Sequence, residues 1–229
     1  ALEVLAEISK KVTADDRETL LKIASTSMES KLISEDSEPL SKIVVDSIMS
    51  ITETRDNKSS VDLDNLKVEK KAGGSIQDTA LIKGIVLDKE VVHSGMPKKI
   101  QQAKIALLNT AMEVEKTEMS AEIRINDPTQ MQMFLEEENR MIKTMVDKIH
   151  SIGANVVICQ KGIDDMAQHF LSKHGILAVR RVKESDMTKL AKATGGRITS
   201  NIEDISEKDL GGANLVQQKK VESDKWVFI

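Results

Sequence analysis

The chain has 229 residues, a formal net charge of −4 and a pI near 5.7, with 33 Lys and Arg scattered among 37 Asp and Glu. Scattered positive charge excludes a phosphate-backbone footprint, and 2 % aromatic content without any Tyr leaves little on which bases could stack. The single cysteine, Cys159, cannot form an internal disulfide, and no apolar run approaches the roughly 20 residues that cross a bilayer. A soluble, cytoplasmic protein with no nucleic-acid or membrane partner is expected.

The first 70 residues read as helices. Thr13-Ala14-Asp15-Asp16 resembles a capping box, with the Thr13 hydroxyl on the first orphan amides, and Leu20, Leu21, Ile23, Ala24 and Met28 form a face behind it. A second helix starts near Pro39, with Leu40, Ile43, Val44, Ile48 and Ile51 on one side. Val61 with Leu63, then Leu66 with Val68, alternate with polar residues and read as short strands.

Gly73-Gly74 reads as a hinge, because glycine takes backbone angles closed to other residues. Ala80 to Leu87 reads as a strand interrupted by a bulge at Gly84, and Ile100 to Leu108 as another. Asn126-Asp127-Pro128 opens a long helix, with Asp127 as cap and Pro128 first inside. It runs to about His150 on a stripe of Met131, Leu135, Ile142, Met145, Val146 and Ile149, and Gly153 ends it.

The last third alternates strand and helix. Asn155 to Cys159 is a buried-type strand, Asp164 caps a helix that Gly175 ends, and Ile176 to Val179 is a strand. Ser185 or Asp186 caps a helix ending at Gly195, before Arg197-Ile198-Thr199. That rhythm implies helices packed on a partly parallel sheet. Both ends, Ala1 to Leu5 and Trp226 to Ile229, stop inside apolar segments and read as cuts in a longer chain.

Catalytic motifs are missing. There is no GxxxxGK[ST] loop and no GxGxxG after a strand; Gly73-Gly74, Gly195-Gly196 and Gly211-Gly212 are more simply a hinge, a helix stop and a turn. Asp165 and His169 share a helix face without an evident third metal ligand, and Cys159 fits a core position better than a nucleophile's. No catalytic residue, metal or cofactor is assigned within the chain.

Methionine is unusual: eleven in all, five of them (Met119, Met131, Met133, Met141, Met145) within 27 residues. Met133, Phe134 and Met141 fall off the long helix's stripe. Either they fill a core poor in aromatics, or they form a polarizable surface that moulds to varied apolar partners.

Gly153 to His169, continued by Gly175 to Lys183, resembles the apical domain of archaeal thermosomes, members of the group II chaperonin family. Asp186 to Gly195, Gly84 to Lys89 and Arg124 to Pro128 add matches, so the likeness spans nearly the whole chain. It implies a mixed α/β architecture: a small α+β intermediate-domain portion, and an apical domain of sheets flanked by helices with a long helical protrusion. Residues 1–72 would be the first crossing of the intermediate domain and 73–225 the apical domain, with the protrusion at about 115–147. Residues 226–229 would start the return crossing, and the equatorial ATPase domain would be absent.

The function implied is a molecular chaperone: a double-ring, ATP-dependent chaperonin whose protrusions form a built-in lid. Its partners would be unfolded or partly folded polypeptides and other chaperonin subunits. The resemblance assigns client contact to Met131, Met133 and Phe134 on the protrusion and to Gln168, Phe170, Leu171, Lys173 and His174 on the helix after Cys159. It assigns γ-phosphate sensing to Lys31, although Ser30 stands where the family has Gly, and makes Gly73 and Gly74 the hinge. ATP and Mg would serve the parent protein, an ATP-hydrolysing chaperonin, and not this segment. Two rivals remain from the residues alone: a small α/β nucleotide-binding enzyme domain, suggested by the strand–helix alternation, and a purely structural assembly domain.

Overall fold

A computed structural model describes residues 2–10, 12–31, 33–55, 58–114 and 128–229. The chain divides into two compact units, Ala1–Lys83 and Gly84–Ile229. Gly73 and Gly74 thus lie within the first unit.

The first unit contains helices α1 (Leu2–Ile8), α2 (Arg17–Glu29) and α3 (Ser37–Ile51), then an antiparallel pair, β1 (Thr52–Arg55) and β2 (Lys58–Val61). Asp16, not Thr13, caps α2: its carboxylate accepts from the Thr19 amide at 3.1 Å and the Thr19 hydroxyl at 2.7 Å. Those bonds hold its carboxyl below the usual carboxylate range. Ala24 and Val45 are buried, and an Arg17–Asp46 ion pair joins α2 to α3. The strands expected at Leu63 and Leu66 do not form. Asp62 instead accepts from the Asp64 amide at 3.1 Å, and this local bond turns Leu63–Asn65 into a 3-10 turn.

The second unit is built on β3 (Val86–Leu87), β4 (Lys99–Leu108), β5 (Val156–Cys159), β6 (Leu177–Val179), β7 (Ile198–Thr199), β8 (Gly211–Val221) and β9 (Asp224–Phe228). They form one sheet in the order β3-β9-β8-β4-β5-β6, with β7 also paired to β4. Helices α4 (Pro128–Ser151), α5 (Asp165–Lys173) and α6 (Glu184–Thr194) complete it. β4 changes partner along its length, running antiparallel to β8 from Lys99 to Ile105 and parallel to β5 from Ile105 to Leu108. Gln102, at φ 49°, breaks the β8 ladder between Gln101 and Ala103.

The parallel strands are buried on both faces, which explains their unbroken apolar runs. Successive side chains alternate sides. Ala106, Leu108, Val157, Cys159 and Ala178 meet Ile142, Val146 and Ile149 of α4 and Leu171 of α5. Ile105, Leu107, Val156, Ile158 and Leu177 meet Met187 and Leu190 of α6, with Val216 of β8 and Val227 of β9.

Several local expectations are revised. Gly211-Gly212 is no turn but the start of β8, where a side chain at Gly211 would run into Thr194. Trp226 to Ile229 joins the sheet: Val227 is fully buried in β9, and Ile85 and Ile229 exchange backbone hydrogen bonds at 2.9 Å. That approach brings Gly84, at φ 149°, against the Ile229 carbonyl, so only Val86–Leu87 is strand and no bulge is needed. α6 begins at Glu184 with Lys183 at its cap position, and Asp186 is buried inside the first turn.

Candidate functional site

α4 is a 24-residue helix, about 36 Å long at 1.5 Å per residue. Its stripe has two fates. Ile142 is 5 % exposed, and Val146 and Ile149 are sealed against the sheet. Met131 and Leu135, on the same stripe, are each 50 % exposed. The off-stripe side chains are also open to solvent: Met133 at 66 %, Phe134 at 42 % and Met141 at 44 %. The C-terminal half of α4 is therefore an anchor, and the N-terminal half carries large apolar groups without cover from the body. A Glu137–Arg140 pair, with Nε to Oε2 at 2.9 Å, spans one turn of this exposed half. Asp127, the expected cap of α4, and Met119 lie outside the described residues.

α5 divides its expected contact residues. Asp164 caps the helix through the Met166 amide at 2.8 Å, and this start turns Ala167, Gln168 and Leu171 inward. Leu171 is fully buried and Gln168 nearly so. Burial of the Gln168 amide is tolerated because its Nε2 donates to the Ile163 carbonyl at 2.8 Å and to Asp165 Oδ1 at 3.0 Å. These two residues support the helix from within and offer no surface. Phe170 is half-buried, with Lys173 Nζ 6.0 Å above its ring, and Met166, His169, Lys173 and His174 are exposed. The Asp165 carboxylate is thus engaged by Gln168, and among the described residues no group of three or more His, Cys, Asp or Glu is placed to hold a metal ion.

α5 meets α4 near the anchor. His174 Nε2 lies 3.4 Å from Asp147 Oδ1, and the His150 and His174 rings stack at 4.3 Å between centroids. Asp147 is sixteen residues along the helix from Met131, about 24 Å. The exposed half of α4 and the outer face of α5 are separate patches of one unit. The His pair went unread in the sequence, since stacking across two helices has no linear signal. Leu135 and Met166 were missed as exposed groups for another reason: periodicity says which way a side chain faces, not where the covering sheet ends.

Cys159 occupies the core position expected of it. Burial pushes its thiol up to about 11, and Sγ donates to the Thr110 carbonyl at 3.1 Å. Lys31 is exposed just after α2, its amide donating to the Met28 carbonyl at 2.9 Å. Ser30 before it sits at φ −86°, an ordinary angle that needs no glycine. Gly73 has φ 117°, which does favour glycine, and Gly74 is followed by a capping box of Ser75 with Asp78. No helix among the described residues is long and apolar enough to cross a membrane.

The family model for TCP-1/cpn60 chaperonins matches residues 1–229. The chain is 56 % identical over all its 229 residues to a thermosome subunit of Pyrococcus horikoshii, covering 42 % of that protein. It is 57 % identical to the thermosome subunit beta of Sulfolobus acidocaldarius, covering 41 % of it. The chain thus spans about two-fifths of the length of these curated relatives. Among solved structures, the open-state monomer of a group II chaperonin from Methanococcoides burtonii superposes with a TM-score of 0.79 at 39 % identity, over 100 % of this chain and 51 % of that one. The chain belongs to the TCP-1/cpn60 chaperonin family, on its group II, thermosome side.

Proposed function

We propose that this chain is the client-contacting and lid-forming part of an ATP-driven chaperonin subunit, which works in the cytoplasm on unfolded or partly folded polypeptides. The observation that carries this reading is the exposed apolar half of α4. Met131, Met133, Phe134, Leu135 and Met141 are held out from the sheet by an anchor of Ile142, Val146 and Ile149. Flexible thioethers suit contact with many client shapes, because they repack at little cost. Phe170, Lys173 and His174 add a second, mixed patch, with Gln168 and Leu171 as its internal support.

In this reading residues 1–72, which lie within the first unit, are the first crossing of the intermediate domain. The second unit is the apical domain, and α4 is the C-terminal arm of its protrusion. Lys31 senses the nucleotide's γ-phosphate, and Gly73-Gly74 absorbs the motion that brings protrusions of neighbouring subunits together in a double ring. ATP and Mg act in the parent protein. This chain carries no phosphate loop of its own, so no chemical step is assigned to its residues.

Light scattering from an aggregating unfolded protein tests the reading. The chain should slow aggregation weakly, because the multivalency of a ring is lost. Met133→Glu combined with Phe134→Glu should abolish the effect while leaving the anchor residues in place. Undiminished suppression by that variant would refute the assignment.

A further inference from the structure

Among the described residues of the second unit the sulfur atoms differ in exposure: Met145 is half-buried against the core and Met166 of α5 is 38 % exposed. Met96, Met112 and Met187 are buried in its core, as is Cys159. Met131, Met133 and Met141 stand in solvent on one helix, within eleven residues of each other. The thiol would ordinarily be the first target of a two-electron oxidant. It is inert here, being enclosed and held neutral well above physiological pH. Oxidation is thereby steered to the exposed thioethers, three grouped on α4 and Met166 alone on α5.

We propose that Met131, Met133 and Met141 form a peroxide-modifiable site, at which oxidation to the sulfoxide converts the apolar surface of α4 into a polar one. A sulfur lone pair attacks one oxygen of the hydroperoxide. The S–O bond forms as the O–O bond breaks, sulfur is oxidised by two electrons, and the peroxide is reduced to water. Each product is a polar, chiral sulfoxide where a soft apolar group stood, and methionine sulfoxide reductases reverse it. Phe134 and Leu135 are untouched by this chemistry, so the surface weakens in steps as the sulfurs turn over. The one sulfur of the anchor, Met145, is half-buried against the core, so the helix stays in place while its contact surface changes. The modification stands on exposure and sulfur chemistry; its consequence for client binding rests on the proposed function.

The experiment treats the full chain with hydrogen peroxide, quenches at intervals, and maps tryptic peptides by mass spectrometry. Met131 and Met133 share the peptide 125–140, whereas Met187 reports from 184–189 and Met112 from 105–116. The 125–140 peptide should gain two oxygen atoms about tenfold faster than the core peptides gain one. Fluorescence of 1-anilinonaphthalene-8-sulfonate should fall in step and recover on adding the reductases. A Met131→Leu, Met133→Leu, Met141→Leu variant keeps apolar volume without the sulfur, and its dye signal should not respond to peroxide. Equal oxidation rates in exposed and core peptides, or an equal dye loss in the leucine variant, would overturn the site. Aggregation suppression measured alongside separates the two ideas. If it is absent before peroxide, the client-binding reading fails while the mass and dye results still decide the modification.

Discussion

Met131 and Ile142 lie three turns apart on one stripe of α4, pointing the same way, yet Ile142 is packed on the sheet and Met131 is half in water. The helix outruns its platform. This relationship separates what α4 contributes to stability from what it contributes to recognition.

The two halves should therefore respond differently to truncation. Ile149→Ala removes a fully buried side chain and should cost about 3 kcal/mol through lost transfer and a cavity. Met133→Ala removes an exposed one and should change stability by less than about 0.5 kcal/mol. Urea unfolding followed by Trp226 is suited to the comparison, since the chain's one tryptophan lies in β9 of the same unit. A large loss for Met133→Ala would mean that α4 is covered where it stands open here.

A second prediction concerns how closely β8 approaches the end of α6. A Cβ on Gly196 would lie 2.7 Å from the Gly211 nitrogen and 2.8 Å from its Cα, and backbone cannot swing aside. Gly196→Ala should destabilise the unit by roughly 1–3 kcal/mol as the sheet shifts to make room. At Gly162 the obstacle is the tip of the Glu113 side chain, which can rotate away, so Gly162→Ala should be far milder. Thermal unfolding of the two variants ranks them directly.

Cys159 supplies a pH test with a defined sign. Its thiol ionises near 9.0 when unfolded and only near 11 in the folded chain. Between these values the unfolded state releases a proton that the folded state keeps, so stability falls as pH rises. Cys159→Ala should flatten part of that fall when unfolding midpoints are compared from pH 8 to 11. In native buffer at neutral pH, thiol reagents should leave Cys159 unmodified until denaturant is added. Rapid labelling of the folded chain would contradict its burial.

Much of this architecture was legible in the residues because the signals were local. Asp164 before α5, Gly153, Gly175 and Gly195 after their helices, and the apolar run of β5 all mark their elements directly. β8 was not legible. It begins on two glycines that look like a turn, and the first, Gly211, takes its meaning from Thr194 and Gly196, close in space only after α6 has packed. β9 was missed with it, since it is the second strand of a hairpin with β8 and its other partner, β3, lies far upstream. For the surface, the off-stripe positions of Met133, Phe134 and Met141 were readable from helical spacing. The burial of Gln168 was not: a polar residue goes inside only where the Ile163 carbonyl waits for it, and spacing along α5 does not show that acceptor.

The contact surface itself is tested most directly by replacing Met133 with the photoreactive p-benzoylphenylalanine and illuminating the chain with a chemically unfolded client. Position 203, exposed elsewhere on the same unit, serves as the comparison. Position 133 should yield a covalent adduct with the unfolded client and none with the same client in its native fold, and position 203 should yield neither. Equal labelling from both positions, or none from 133 while aggregation is still suppressed, would show that the outer half of α4 is not what holds the client.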